Sequence, residues 1–140
     1  MPQCFERTLM QILMLVHSAL MVISAAFILT AVFIARARKP RWLKRHKTLA
    51  IAGVVSSLAA FAVIFIAKAG MQFPHFQSPH AIAGALTLAM LIATPVIGAL
   101  IPKKPKVLRP VHRVLGRIVS AAIILTAVMG LLRFLQLSKG

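Results

Sequence analysis

HKTLAIAGVVSSLAAFAVIFIAK, residues 46–68, decides the fold. Between Lys47 and Lys68 the stretch has no charge, and a helical bilayer crossing takes about 20 apolar residues. Working outward, three further runs share this character, over 9–35, 81–101 and 114–137. The chain has 140 residues, 60% of them hydrophobic, and a mean hydropathy of +0.92. No soluble domain needs that much apolar surface. Four crossings account for nearly the whole chain and leave no room for a soluble catalytic domain. The expectation is one all-α membrane domain over 1–140, with helices at about 9–35, 46–68, 80–101 and 112–137. The first run is too long for a signal peptide's apolar region, and no small-residue cleavage pattern closes it, so it reads as a retained helix.

Charge sets the expected orientation. Seventeen Lys and Arg oppose one acid, for a net charge of +16. Segment 36–47 holds seven of the cations, Arg36, Arg38, Lys39, Arg41, Lys44, Arg45 and Lys47. Segment 103–117 holds six more, Lys103, Lys104, Lys106, Arg109, Arg113 and Arg117. Arg7, Lys68, Arg133 and Lys139 are spread over the termini and the middle loop. By the positive-inside bias, both basic loops are cytoplasmic, and both termini and the 68–80 loop face outward. Nucleic-acid binding would interleave aromatic residues with these charges, and only Trp42 does so; no nucleic-acid partner is expected.

Glu6 is the only carboxylate and precedes the first helix. Carboxylate proton relays, paired-carboxylate hydrolysis, HExxH metal sites and Ser-His-Asp triads are thereby excluded. Cys4 stands alone, so neither a disulfide framework nor a thiolate cluster exists, and it reads as a free thiol at a terminus. Chemistry on this chain has to come from a cofactor.

Punctuation along the sequence gives an up-down order. Pro40 suits a stop after the first helix, Gly70 terminates the second, and Pro79 opens the third. Pro95 is expected to kink the third helix, while Pro102, Pro105 and Pro110 hold the second basic loop extended. Connections this short make neighbouring helices antiparallel, giving a four-helix transmembrane up-down bundle.

Each hydrophobic segment carries one histidine: His17, His46, His80 and His112. Imidazole is costly in hydrocarbon, so an even distribution of four asks for a reason. Three helix starts are alike, HKTLAIAG, HAIAGALT and HRVLGRIV, with Ala50, Gly84 and Gly116 four residues after the histidine and Gly53 seven after His46. These positions share a helical face, which reads as a cofactor slot beneath each histidine. Small residues also pack membrane helices closely, but that does not explain the histidines. Topology puts His17 and His80 in the outer half and His46 and His112 in the inner half. Both pairs join alternate helices, which can lie diagonally in a bundle and clasp a planar metallocofactor. Two b-type haems with bis-histidine ligation would then stack across the bilayer as an electron path. Lys44, Arg45, Arg109 and Arg113 could meet haem propionates at the inner level, and Lys68 and Arg133 at the outer; interfacial snorkelling is the simpler account of each. Two imidazoles per level, without acid or thiolate, make a poor zinc or copper site.

With LKRHKTLAIAGVV, SPHAIAGALTLAMLIATPVIGAL, RPVHRVLGRIVSAAIILTAVMGL and VHSALM, the chain resembles the cytochrome b561 family over roughly residues 15–135. The resemblance implies two b-type haems, the alternate-helix pairing and transmembrane electron transfer, often from cytoplasmic ascorbate to monodehydroascorbate or a ferric chelate. Eukaryotic members carry one more helix on each side of this core, so the chain looks like a short prokaryotic-type member of a bacterial cell membrane. Of the family's cytoplasmic lysines before the second histidine, Lys44 matches one and Pro40 replaces another. The family's outer-site histidine surroundings become Ser78-Pro79-His80-Ala81. Arg41, Lys44 and Arg109 are therefore candidates for an anionic donor or partner site. His75, between Phe73 and Phe76, is a possible outer site, though an ordinary interfacial histidine is the simpler reading. Donor and acceptor could be ascorbate, a quinol, a ferric chelate or a protein, with the chain acting alone, as a homodimer or in a larger redox complex. Two alternatives use the same features: a haem-free small transporter or structural subunit, and a single-haem quinol-reactive anchor.

Overall fold

The structure is a computed structural model that describes residues 2–70, 72 and 75–137. The side chains of Cys4 and Arg7 lie outside the described residues, as do Phe73 and Lys139. Four helices follow one another: α1 Pro2–Ala37, α2 Trp42–Gly70, α3 Pro79–Leu100 and α4 Pro105–Leu137. All four are long and apolar enough to cross a membrane, over Thr8–Ala37, Trp42–Gly70, Pro79–Leu100 and Pro105–Leu135. Hydrocarbon offers no partner for a backbone N–H or C=O, so the uncharged runs satisfy themselves as helices. Large apolar side chains point outward around the bundle, with Val22 69%, Phe33 70%, Ile66 69% and Leu86 62% exposed. Such a surface suits lipid rather than water.

Several ends differ from the sequence expectation: α1 begins at Pro2 rather than near 9, so Glu6 lies within it, and α2 begins at Trp42 rather than at 46. Helix α4 begins at Pro105, a full two turns before His112, so Pro105 and Pro110 lie in helix rather than in an extended loop. Pro105 sits at the first helical position, where its missing N–H is no loss, and Pro110 forfeits a single bond soon after. Gly70 is still helical, and the left-handed residue that turns the chain is Gln72, at φ 56. Helix α1 stops at Ala37, as Pro40 suggested, but the turn is made by Arg38 (φ 47) and Arg41 (φ 62). The expected start of α3 is observed: the Ser78 hydroxyl accepts from the Ala81 N–H at 3.2 Å, with Pro79 next in line.

Helices α1 and α2 pack along one another as a hairpin, and so do α3 and α4. Between hairpins, α1 meets α4 and α2 meets α3 only sparsely, and among the described residues the backbones of α1 and α3 stay apart, as do those of α2 and α4, which meet only through side chains at the core. The diagonals are therefore α1–α3 and α2–α4. What points inward follows one rule. Counted from its histidine, each helix buries the residue seven on (Ser24, Gly53, Thr87, Val119) and eleven on (Ile28, Ser57, Leu91, Ile123). Fourteen on, Ala31, Ala60 and Thr126 are buried and Thr94 is half-buried. Steps of seven, eleven and fourteen fall on one helical face. The four helices are thus four variations on one register, each led by a histidine.

Gly53 sits at the tightest point of the first hairpin. A Cβ there would lie 2.5 Å from Cδ1 of Ile28 and 3.3 Å from the Ser24 carbonyl oxygen. Gly116 has nothing within 4 Å of the same construction. Gly53→Ala is therefore expected to destabilise the cofactor-free protein by roughly 1–3 kcal/mol through overpacking. Gly116→Ala should leave it unchanged or stabilise it by up to about 1 kcal/mol, through helix propensity. Denaturant unfolding in detergent checks this; equal stabilities would contradict the packing role of Gly53.

Candidate cofactor site

The histidines are held in a reciprocal scheme. In the first hairpin, the Nδ1–H of His17 donates to the Ala60 carbonyl at 2.8 Å and that of His46 to the Ala31 carbonyl at 2.9 Å. In the second, the Nδ1–H of His80 donates to the Thr126 carbonyl at 3.2 Å and that of His112 to the Thr94 carbonyl at 3.0 Å. Every acceptor is the residue fourteen beyond the histidine of its own helix. A carbonyl can only accept, so a proton is on Nδ1, and in the neutral ring the lone pair is then on Nε2. That is the state in which a metal-ligating histidine is held.

Two levels result. His46 and His112 face each other across the α2–α4 diagonal, with ring centroids 6.1 Å apart and planes at 88°. Two imidazoles this close could both serve one metal-bearing group held between them. At the opposite end, His17 and His80 line one cavity with Met21, Phe61, Gly84 and Leu88. Fourteen residues at about 1.5 Å each separate the levels by about 21 Å, inside a hydrocarbon core of about 30 Å. Between them, Ile28, Leu91, Val119 and Ile123 form an apolar plug with Ala25, Val54, Met90 and Leu115.

The second hairpin holds its rings by a feature the sequence reading missed. Thr94 and Thr126 each precede a glycine by four residues, Gly98 and Gly130. A Cβ on Gly98 would lie 3.0 Å from Cε1 of His112, and one on Gly130 2.8 Å from Cε1 of His80. These two glycines let an imidazole reach the neighbouring helix's carbonyl. The repeated T-x-x-x-G was the available signal, but its meaning depends on which helix lies opposite. Of the glycines singled out from sequence, Gly84 and Gly116 leave open space beneath His80 and His112, the nearest neighbour of an added Cβ being the Thr126 methyl at 3.8 Å from Gly84. Gly53 instead seats α1 on α2.

Polar and aromatic surroundings differ between levels. Below His17 and His80, four buried hydroxyls line the cavity. Ser24 bonds the Gly53 carbonyl at 2.8 Å and the Ser57 hydroxyl, and Thr87 meets Thr126 at 3.1 Å. Phe61 stacks on Phe65 at 5.6 Å, and Phe65 on the half-buried His75 at 4.1 Å, so His75 caps an aromatic ladder that begins at the cavity wall. At the basic end, Trp42 lies 6.3 Å from the His46 ring. Arg41, Lys44, Arg45, Arg109 and Arg113 are all exposed there. Lys68 is half-buried and Arg133 exposed at the other end.

The donor set fits a particular kind of group. Among the described residues no three His, Cys, Asp or Glu side chains converge, so no closed divalent-metal site is built. Two opposed imidazoles per level suit a planar group that brings its own equatorial ligands, as a porphyrin does. A family model described as eukaryotic cytochrome b561 matches residues 9–137, a range that contains all four histidines and all four of their carbonyl partners. Neither a curated protein nor a solved structure matches the chain. That match spans nearly the whole chain and implies b-type haem and electron transfer across a membrane, which four membrane-length helices suit; the chain belongs to the cytochrome b561 family.

Proposed function

We propose that this chain carries electrons across the bilayer through two b-type haems, one between His17 and His80 and one between His46 and His112. What carries the reading is that each of the four imidazoles spends Nδ1 on a helix carbonyl, leaving Nε2 for iron. Bound haem with two imidazole ligands supplies a one-electron carrier without an open position for oxygen.

The chain's own residues do the rest. The carbonyls of Ala31, Ala60, Thr94 and Thr126 fix ring orientation and raise imidazole basicity. Gly84 and Gly116 keep the slot beneath His80 and His112 clear, and Gly53 sets the α1–α2 distance on which the His46–Ala31 bond depends. Lys44, Arg45, Arg109 and Arg113 offset haem propionate charge at the basic end, and Lys68 and Arg133 do so at the other. With the basic loops cytoplasmic, Arg41, Lys44 and Arg109 attract an anionic donor, whether ascorbate-like or the acidic face of a redox protein. His75, at the head of the Phe61–Phe65 ladder, marks the outer face as the place where an acceptor approaches. Electron flow in the reverse direction, from a quinol for example, uses the same two levels.

An air-oxidised against dithionite-reduced spectrum, with haem counted per chain, tests the reading directly. Two haems per chain are expected. His17→Ala and His80→Ala should remove the same redox component, and His46→Ala and His112→Ala the other. Loss of one component by both His17→Ala and His112→Ala would overturn the pairing, and a single haem would favour an anchor with one working level.

The glycine that admits His80 gives a second test. Gly130→Ala puts a methyl within 2.8 Å of the ring and should weaken haem binding at the His17–His80 level about 10-fold or more, as loss of outer-sphere support does. Redox titration would see that component alone diminish; an unchanged titration would dismiss the carbonyl seat as incidental.

A further inference from the structure

We infer that the two histidine pairs are also the clasps that join the hairpins, so that cofactor insertion is the step that assembles the bundle. This rests on the two-haem reading above.

The described side-chain hydrogen bonds between helices of the core lie within hairpins. His17, Ser24, Ser57 and His46 tie α1 to α2. His80, Thr87, Thr126 and His112 tie α3 to α4. Between hairpins the described contact is the apolar plug of Ile28 and Val54 against Leu91, Val119 and Ile123, at mid-depth, with sparse helix contacts elsewhere. In water such a plug would be a strong bond. In lipid it is weak, because acyl chains are as apolar as the side chains they replace, and helices associate there through close packing and polar contacts. Close packing is what the α1–α4 and α2–α3 boundaries lack.

The ligand pairs run the other way. His17 belongs to the first hairpin and His80 to the second; His46 belongs to the first and His112 to the second. One iron at each level would therefore make one tie along each diagonal, α1–α3 and α2–α4, where the helix backbones stay apart and the described side-chain contacts are the mid-depth plug and the facing imidazoles. The two ties lie about 21 Å apart on opposite sides of the plug, which resists both sliding and splaying of the hairpins. Within a hairpin the rings are already held by carbonyls, so the ligands are set before the second hairpin docks. Each hairpin presents half of each site.

The test uses the full chain with a protease site inserted after Gln77, in the exposed connection between hairpins, cut after purification in mild detergent. Cut protein containing two haems is expected to elute as one species. The His17→Ala/His46→Ala variant, cut in the same way, should lose co-elution, as should His80→Ala/His112→Ala, which removes the ligands from the other side and guards against a folding defect of one hairpin. Helical circular dichroism of the separated halves reports whether each hairpin persists. Cut wild type grown without haem precursor should also separate, and added haemin should restore co-elution. Halves that stay together without haem, or fall apart while holding two haems, would overturn the inference and leave the two-haem reading intact. Absence of haem from the uncut wild type would overturn that reading itself.

Discussion

The hydrogen bond from each histidine's Nδ1 to a carbonyl on the facing helix is the constraint from which the rest of this structure follows. Imidazole in hydrocarbon needs a partner, and the one available here is a helix backbone. Reaching it requires the two helices of a hairpin to lie close along their length, which explains the small or short side chains at the inward positions: Ser24, Gly53, Ser57, Ala31 and Ala60 in the first hairpin. It also fixes the depth of each ring, because every acceptor lies fourteen residues from the histidine of its own helix. Two levels at opposite ends of the bundle are then unavoidable.

Buried polarity is spent in one place. The chain has a single carboxylate, and its described buried polar side chains are four hydroxyls, Ser24, Ser57, Thr87 and Thr126. Each bonds another helix of its own hairpin, and all four line the cavity of His17 and His80. Around the other level, Thr94 and Ser120 turn their hydroxyls back to their own helices, at Met90 and Gly116. The two levels are thus alike in their histidines and unlike in surroundings, a difference to which the potential of a bound haem would respond.

Much of the architecture was legible because lipid simplifies the code. Uncharged runs mark crossings, cation-rich loops mark one face, and from these the depth of each histidine follows by counting. The diagonal placement of the pairs also came from topology alone. Helix ends were less legible: Pro110 reads as a breaker, yet α4 runs through it, since one lost hydrogen bond near the end of a long helix costs little beside the tertiary packing. Gly98 and Gly130 escaped notice for a different reason. Their role is defined by a ring on another helix, and no pattern within α3 or α4 announces which histidine will lie there. Gly53 was read as slot lining from its spacing to His46, whereas the side chain it makes room for is Ile28.

Trp42 has a consequence of an optical kind. The chain has one indole and no phenol, and that indole stands 6.3 Å from the His46 ring. A porphyrin bound at His46 would lie within the range of efficient energy transfer and darken the emission almost completely. The unmodified protein would thus carry its own gauge of cofactor uptake, most sensitive to the level nearer Trp42. Uptake could be followed by emission and absorption together, without adding a label.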